Sequence, residues 1–162
     1  TGFGTFNSES GHALIDYAST VFNAIQLGPA GKTKSSDSSP YCGTIFSGNP
    51  LFIDLKQLTT KEWGEILPIE SFKKVVRENP KQNQARTAYS YISSAQIEAL
   101  KEAWDNFKGT KLLKKEFEKF KKENSFWLEK DSLYEALSIE NGGDFWYIWK
   151  NETDKNLMEK RT

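Results

Sequence analysis

The segment running from Ser39 through Pro40, Tyr41, Cys42, Gly43, Thr44, Ile45, Phe46 and Ser47 to Gly48-Asn49-Pro50-Leu51-Phe52-Ile53-Asp54-Leu55 constrains this chain most. It joins a polar loop bearing an aromatic ring, a Gly-Asn-Pro turn and an apolar run closed by an acid. The physical reading is a structured loop that feeds a buried segment. Within it, Asn49 reads as a turn former, and Asp54 as a carboxylate that satisfies backbone amides where the apolar run ends.

Length sets the next bound. The 162 residues are enough for one domain with a real core, but too few for a complete eight-stranded α/β barrel of about 250 residues. Lys+Arg and Asp+Glu balance at 22 each, so no overall field draws the chain to nucleic acid or to an anionic membrane. Cys42 is the single cysteine, which excludes an internal disulfide, a Cys-based zinc site and a CxxC redox pair. No apolar run approaches the roughly 20 residues of a membrane helix, and no signal peptide precedes the first helix, so a cytoplasmic setting is expected. The start at Thr1 without a methionine and the charged end at Lys160-Arg161-Thr162 read as marks of a fragment. Aromatic content of 14% is compatible with sugar-stacking surfaces, but large cores use flat rings too, and composition alone favours the core.

Periodicity places the elements. Asn7 or Ser8 is expected to cap a helix with Ala13, Leu14, Tyr17, Ala18 and Val21 on one stripe. Phe22–Leu27 reads as a short strand ended by Gly28-Pro29. A polar loop spans 30–39, and a short helix is expected around 70–78. Ser93 and Gln96 have capping-box spacing ahead of a helix whose stripe is Ile97, Leu100, Trp104 and Phe107. Leu113, Phe117 and Phe120 mark a second helix. Trp127, Leu133 and Leu137 mark a third, stopped at Asn141-Gly142-Gly143. A last helix is expected from Thr153.

Several segments together closely resemble the amylomaltase type of 4-α-glucanotransferase, glycoside hydrolase family 77. Ser39-Pro40-Tyr41 with Gly48-Asn49-Pro50-Leu51-Phe52-Ile53-Asp54-Leu55 matches that family's early signature, and Phe22 to Gly31 resembles its first barrel strand and exit. Ala99 to Trp104, then Phe126-Trp127-Leu128 with Leu133 and Ala136-Leu137, resemble its helical insertion. Gly142-Gly143 with Trp146 and Trp149 resembles its Gly-Gly-x-x-Trp-x-x-Trp ending.

The resemblance implies an α/β fold: the start of a (β/α)8 TIM barrel with an inserted, mainly α-helical subdomain. Residues 1–58 would hold the first barrel strand and helix and the Ser-Pro-Tyr glucan loop, and residues 59–162 the helical subdomain. It implies transfer of α-1,4-glucan segments between maltodextrins with retention, through a glycosyl-enzyme intermediate, and with no cofactor or metal. Such chemistry needs two carboxylates about 5 Å apart; in the family they come from later strands, so this chain would carry none of them and be inactive alone. Its partners would be a maltooligosaccharide and the remainder of the barrel polypeptide. The competing reading is a non-catalytic glucan-binding or interaction module.

The resemblance makes Tyr41 the leading site residue, with its ring or hydroxyl expected to face the glucan beside the scissile bond, against a reading as a buried loop tyrosine. Ser39 would offer a hydroxyl to a sugar. Asp37 would face a sugar from the same loop, against a reading in which it makes its own turn. The sequence departs from the family where sugar should bind: Asp37-Ser38 precede Ser39, Cys42 follows Tyr41, Gln26 replaces a proline, and Thr87-Ala88-Tyr89 replaces Val-Asp-Tyr. These changes bear on affinity and donor preference rather than on fold. Glu116, Glu118 and Glu123 read as solvated charge on a lysine-rich helix. Trp127, Trp146 and Trp149 read as packing groups, and His12 as a surface residue. Gly28-Pro29-Ala30-Gly31-Lys32-Thr33 is no phosphate loop, because Gln26 stands where the first glycine is needed and Pro29 lacks an amide.

An isolated strand finds no ladder, whereas helices cover one another locally. Amide hydrogen exchange of the isolated polypeptide should therefore be slow between Ser94 and Leu137 and fast from Thr1 to Ser39. Equal protection of the Phe22–Leu27 segment would mean that it has partners inside these 162 residues and would contradict the fragment reading.

Overall fold

The computed structural model describes residues 8–32, 41, 46–82, 84, 87–143 and 145–160. Among these residues the chain is mostly helical. Helices α1 (Glu9–Ser19), α2 (Ile69–Arg77), α3 (Tyr89–Gly109), α4 (Lys114–Glu123), α5 (Ser125–Glu140) and α6 (Glu152–Glu159) are joined by short 3-10 turns at Pro50–Phe52, Gln57–Thr59, Lys61–Trp63 and Trp146–Ile148. The described residues contain no strand, only one isolated antiparallel bridge between Gly31 and Gly48. Two compact units result: Thr1–Ala30 with Asn49–Lys114, and Gly31–Gly48 with Lys115–Thr162.

The expected strand at Phe22–Leu27 is therefore corrected: the segment is irregular and largely exposed, and the described residues show no barrel start. Ile25 is its only β-branched residue, and nothing among the described residues pairs with it, so neither propensity nor a ladder holds it extended. Helix α1 does form where expected, with Ser8 Oγ accepting from the Gly11 amide at 3.3 Å. Yet its apolar stripe lies open, with Leu14, Tyr17 and Val21 all exposed. An exposed ion pair between Glu9 and Lys56, at 2.8 Å, lowers the pKa of the Glu9 carboxyl through its hydrogen bond and raises that of Lys56. Such a pair contributes little to stability.

The core of the first unit is built around α3. Leu55, Leu58, Leu67, Ala99 and Ala103 form its buried centre, with Ile66, Phe72, Val75 and Leu100 packed against it. Leu67 is wholly buried, and sequestering a leucine of this kind stabilises by about 1.5–3 kcal/mol. The loop from Leu58 to Leu67 closes on itself: the Leu67 amide donates to the Leu58 carbonyl at 3.0 Å, and Asn106 Nδ2 donates to the Ile66 carbonyl at 2.8 Å. The loop turns through Gly64 and Glu65, both left-handed, with φ of 70° and 50°. Tyr91 on α3 donates its hydroxyl to Val75, one of the last carbonyls of α2, at 2.8 Å. Burial, then Glu78 and Glu98, push its phenol pKa up.

Two readings of α3 are corrected. The helix starts at Tyr89, four residues before the proposed capping box, so Ser93 and Gln96 lie in its interior. Ser93 and Ser94 turn their hydroxyls back onto the Ser90 and Tyr91 carbonyls, a local alternative open to serine inside a helix. The buried stripe is Ile92, Ala95, Gln96, Ala99 and Ala103, while Ile97 and Trp104 are exposed. Small side chains on this face let the Pro50–Phe52 turn and α2 pack against it.

Gln96 is 1% exposed and its Nε2 donates to the Pro50 carbonyl at 3.2 Å and the Ile53 carbonyl at 2.7 Å. An amide nitrogen carries two protons, so the pairing is complete. Asn49 Oδ1 accepts from the Leu51 amide at 3.0 Å and Asp54 Oδ1 from the Lys56 amide at 3.0 Å, as expected of a turn former and a terminal acid. Gln96→Leu should destabilise the first unit by about 1–3 kcal/mol, because the buried bond to the Ile53 carbonyl is lost and the Pro50 carbonyl is left with the Ile53 amide alone. Urea unfolding followed by circular dichroism measures it; a loss below about 0.5 kcal/mol would show that water replaces the amide.

Candidate functional site

The second unit is organised by α5. Its C-terminus matches the expected stop: the Gly143 amide donates to Ser138 at 2.7 Å and the Gly142 amide to Ile139 at 3.2 Å, with both glycines left-handed. These crossed bonds are the Schellman arrangement, in which glycine avoids a Cβ penalty. Trp149, buried, stacks on Tyr134 at 5.9 Å, and burial, followed by Glu135, raises the Tyr134 phenol pKa, with Lys32 opposing. Asn141 Nδ2 donates to Asp154 of α6 at 2.9 Å. Trp149 is a packing group, as expected; Trp127 and Trp146 are half-buried.

Of the three sugar-facing residues expected, Tyr41 is described and is 81% exposed. Ser39 and Asp37 lie outside the described residues. The nearest described residues before and after Tyr41 are Lys32 and Phe46. At the Gly31–Gly48 bridge the Lys32 amide donates to the Ser47 carbonyl at 3.1 Å, and the Asn49 amide donates to Ala30 at 2.8 Å.

Side chains of these flanking residues all reach one face of α5. Lys32 Nζ pairs with Glu135, and Ser47 Oγ donates to Asp131 Oδ2. The Phe46 ring stacks on Trp127, with centroids 5.8 Å apart and planes 14° apart, and meets Phe126 edge-on at 6.3 Å. Trp127 is itself held, its Nε1 donating to Asn124 Oδ1 at 3.0 Å and its ring meeting Phe120 edge-on. Trp127, Asp131 and Glu135 stand at i, i+4 and i+8, one stripe of a helix. In the sequence Trp127 reads as a packing residue, and nothing there singles out Asp131, Glu135 or a partner for Lys32. The available signal was that i+4 spacing, hidden because the stripe mixes an aromatic with two acids.

The remaining carboxylates fit the solvated reading. Glu118 pairs with Lys121 at 3.2 Å and Glu123 with Lys119 at 3.7 Å along α4, all exposed. His12 is exposed on α1. Among the described residues no cluster of three or more His, Cys, Asp or Glu side chains is placed to hold a metal. None of the described helices is long and apolar enough to cross a membrane.

The first unit holds a separate groove of about 540 Å³ between α1 and the irregular segment after it, lined by Leu14, Ile15, Phe22, Ile25 and Leu27 among others. Its lining contains no ionisable side chain, so it offers apolar contact rather than acid–base chemistry.

A family model described as 4-alpha-glucanotransferase, glycoside hydrolase family 77, matches residues 1–161. The chain belongs to that family. It is 29% identical over 143 residues to a 4-alpha-glucanotransferase of Thermus thermophilus, a match spanning 85% of this chain and 26% of that protein. It is 27% identical over 160 residues to the 4-alpha-glucanotransferase of Aquifex aeolicus strain VF5, spanning 98% of this chain and 30% of the relative. For the Clostridium butyricum protein of the same name the figures are 28% over 152 residues, 93% and 29%. The chain thus spans less than a third of the length of these curated relatives. No solved structure matches it at a significant level.

Proposed function

We propose that this chain is an N-terminal portion of a cytoplasmic 4-α-glucanotransferase that moves α-1,4-glucan segments between maltodextrins with retention, through a glycosyl-enzyme intermediate. The observation that carries the reading is the family match over residues 1–161, beside relatives more than three times as long. The two carboxylates that retention requires, about 5 Å apart, would come from the remainder of the barrel polypeptide. In the whole enzyme, residues 1–58 contribute the opening of the (β/α)8 barrel and residues 59–162 the inserted helical subdomain. That division follows family role rather than compactness. The exposed stripe of α1 and the apolar groove beside it are the natural seat for later barrel elements, which would give Phe22–Leu27 ladder partners that the described residues do not supply. 

Within this portion, Tyr41 is the glucan contact, with Ser39 and Asp37 beside it as further sugar-facing groups. Exposure of the Tyr41 ring is consistent with a stacking surface offered to a glucose unit.

Two outcomes are expected. The 162-residue chain alone should not disproportionate maltotriose; glucose and longer oligomers formed by freshly repurified chain, followed by chromatography, would show that the chemistry resides within it. In the full-length enzyme, Tyr41→Ala should raise the barrier in kcat/KM by about 1–3 kcal/mol, the range for losing one stacking or hydrogen-bonding group. Wild-type kcat/KM in that variant would make the ring merely structural.

A further inference from the structure

We infer that the Trp127–Asp131–Glu135 stripe of α5 is a positioning device for the loop that carries Tyr41, resting on the reading of Tyr41 as the glucan contact. Lys32 lies before Tyr41 in the chain, and Phe46 and Ser47 lie after it. All three are fastened to the same helix face, through Glu135, Trp127 and Asp131 in turn. The backbone bond between Lys32 and Ser47 ties the two flanks to each other as well.

Three different interactions act together here. A serine hydroxyl on a carboxylate is a charge-assisted bond and directional. The stacked Phe46 and Trp127 rings set a separation and a tilt. The Lys32–Glu135 pair, with side chains 33% and 29% exposed, fixes the opposite flank. The Lys32 flank is held by that pair and by its amide's bond to Ser47, and the other flank by the Ser47 hydroxyl and the Phe46 ring. Partly exposed pairs add little to global stability. Their consequence is geometric: Lys32 and Phe46-Ser47, which bracket Tyr41 in the chain, are held to one face of α5, and Tyr41 is tied to that position through the covalent chain.

The test uses the full-length polypeptide with Lys32→Glu, Glu135→Lys and the double variant that swaps the pair. Three readouts are taken: amide exchange at Lys32, kcat/KM on maltotriose, and Tm. Each single variant should speed exchange at the Lys32 amide and lower kcat/KM by about fivefold, with little change in Tm. The swap should return both to within about twofold of wild type, which a generally destabilised protein would not do. Asp131→Asn, which keeps shape and removes charge, should shift both readouts in the same direction. Wild-type exchange in the single variants, or a swap no better than either, would overturn the device. Faster exchange with unchanged kcat/KM would overturn its effect on Tyr41. If the wild-type polypeptide leaves maltotriose untouched, the functional reading fails, and rescue of exchange by the swap still decides the clamp.

Discussion

The first unit depends on one buried amide. Gln96 stands among alanines on α3, where a polar group without partners would cost several kcal/mol. It is accepted there because the turn at Asn49-Pro50 and the residues after it turn the Pro50 and Ile53 carbonyls toward its amide, at 3.2 and 2.7 Å. The glutamine and the turn solve each other's problem, and Leu55, Leu58 and Leu67 pack beside the joint. The alanines at 95, 99 and 103 belong to the same solution, since larger residues would hold the turn away from the amide.

What could be read from the sequence was mostly local. Ser8 caps α1 and Gly142-Gly143 stop α5, because each acts on backbone groups within five residues of itself. Asn49 and Asp54 likewise bond amides two residues on. The family was legible in the spacing of Ser39-Pro40-Tyr41 and its companions, and the match over residues 1–161 bears that out. The failures share a cause. Gln96 read as a capping residue because its true partners lie more than forty positions away. Ile97 and Trp104 outranked Ala95 and Ala99 because apolar periodicity weighs size, whereas close packing on α3 selects smallness. Phe22–Leu27 read as a short strand from its own residues and the Gly28-Pro29 stop, but so short a segment stays extended only where a neighbouring strand pairs with it.

The candidate site was legible in part for the same reason. Tyr41 came from the motif, and its side chain is exposed. The helix face that holds its flanks came only with the structure: Lys32 and Glu135 are 103 positions apart, and Ser47 and Asp131 are 84 apart. Charge balance in the composition hides such pairs, since equal numbers of acids and bases say nothing about which of them meet.

The two compact units interleave in sequence: the first is interrupted by residues 31–48, and the second is completed only by residues 115–162. During synthesis, the chain that ends at Lys114 has everything the Gln96 joint requires, so the first unit closes early. Phe46, Ser47 and Lys32 must then wait for α5 to leave the ribosome before their partners exist, and the cost of that long-range closure falls late in folding. An aromatic ring held without its stack for that interval is a surface for wrong contacts. The order of residues along this chain therefore places its period of greatest vulnerability beside the loop that carries Tyr41.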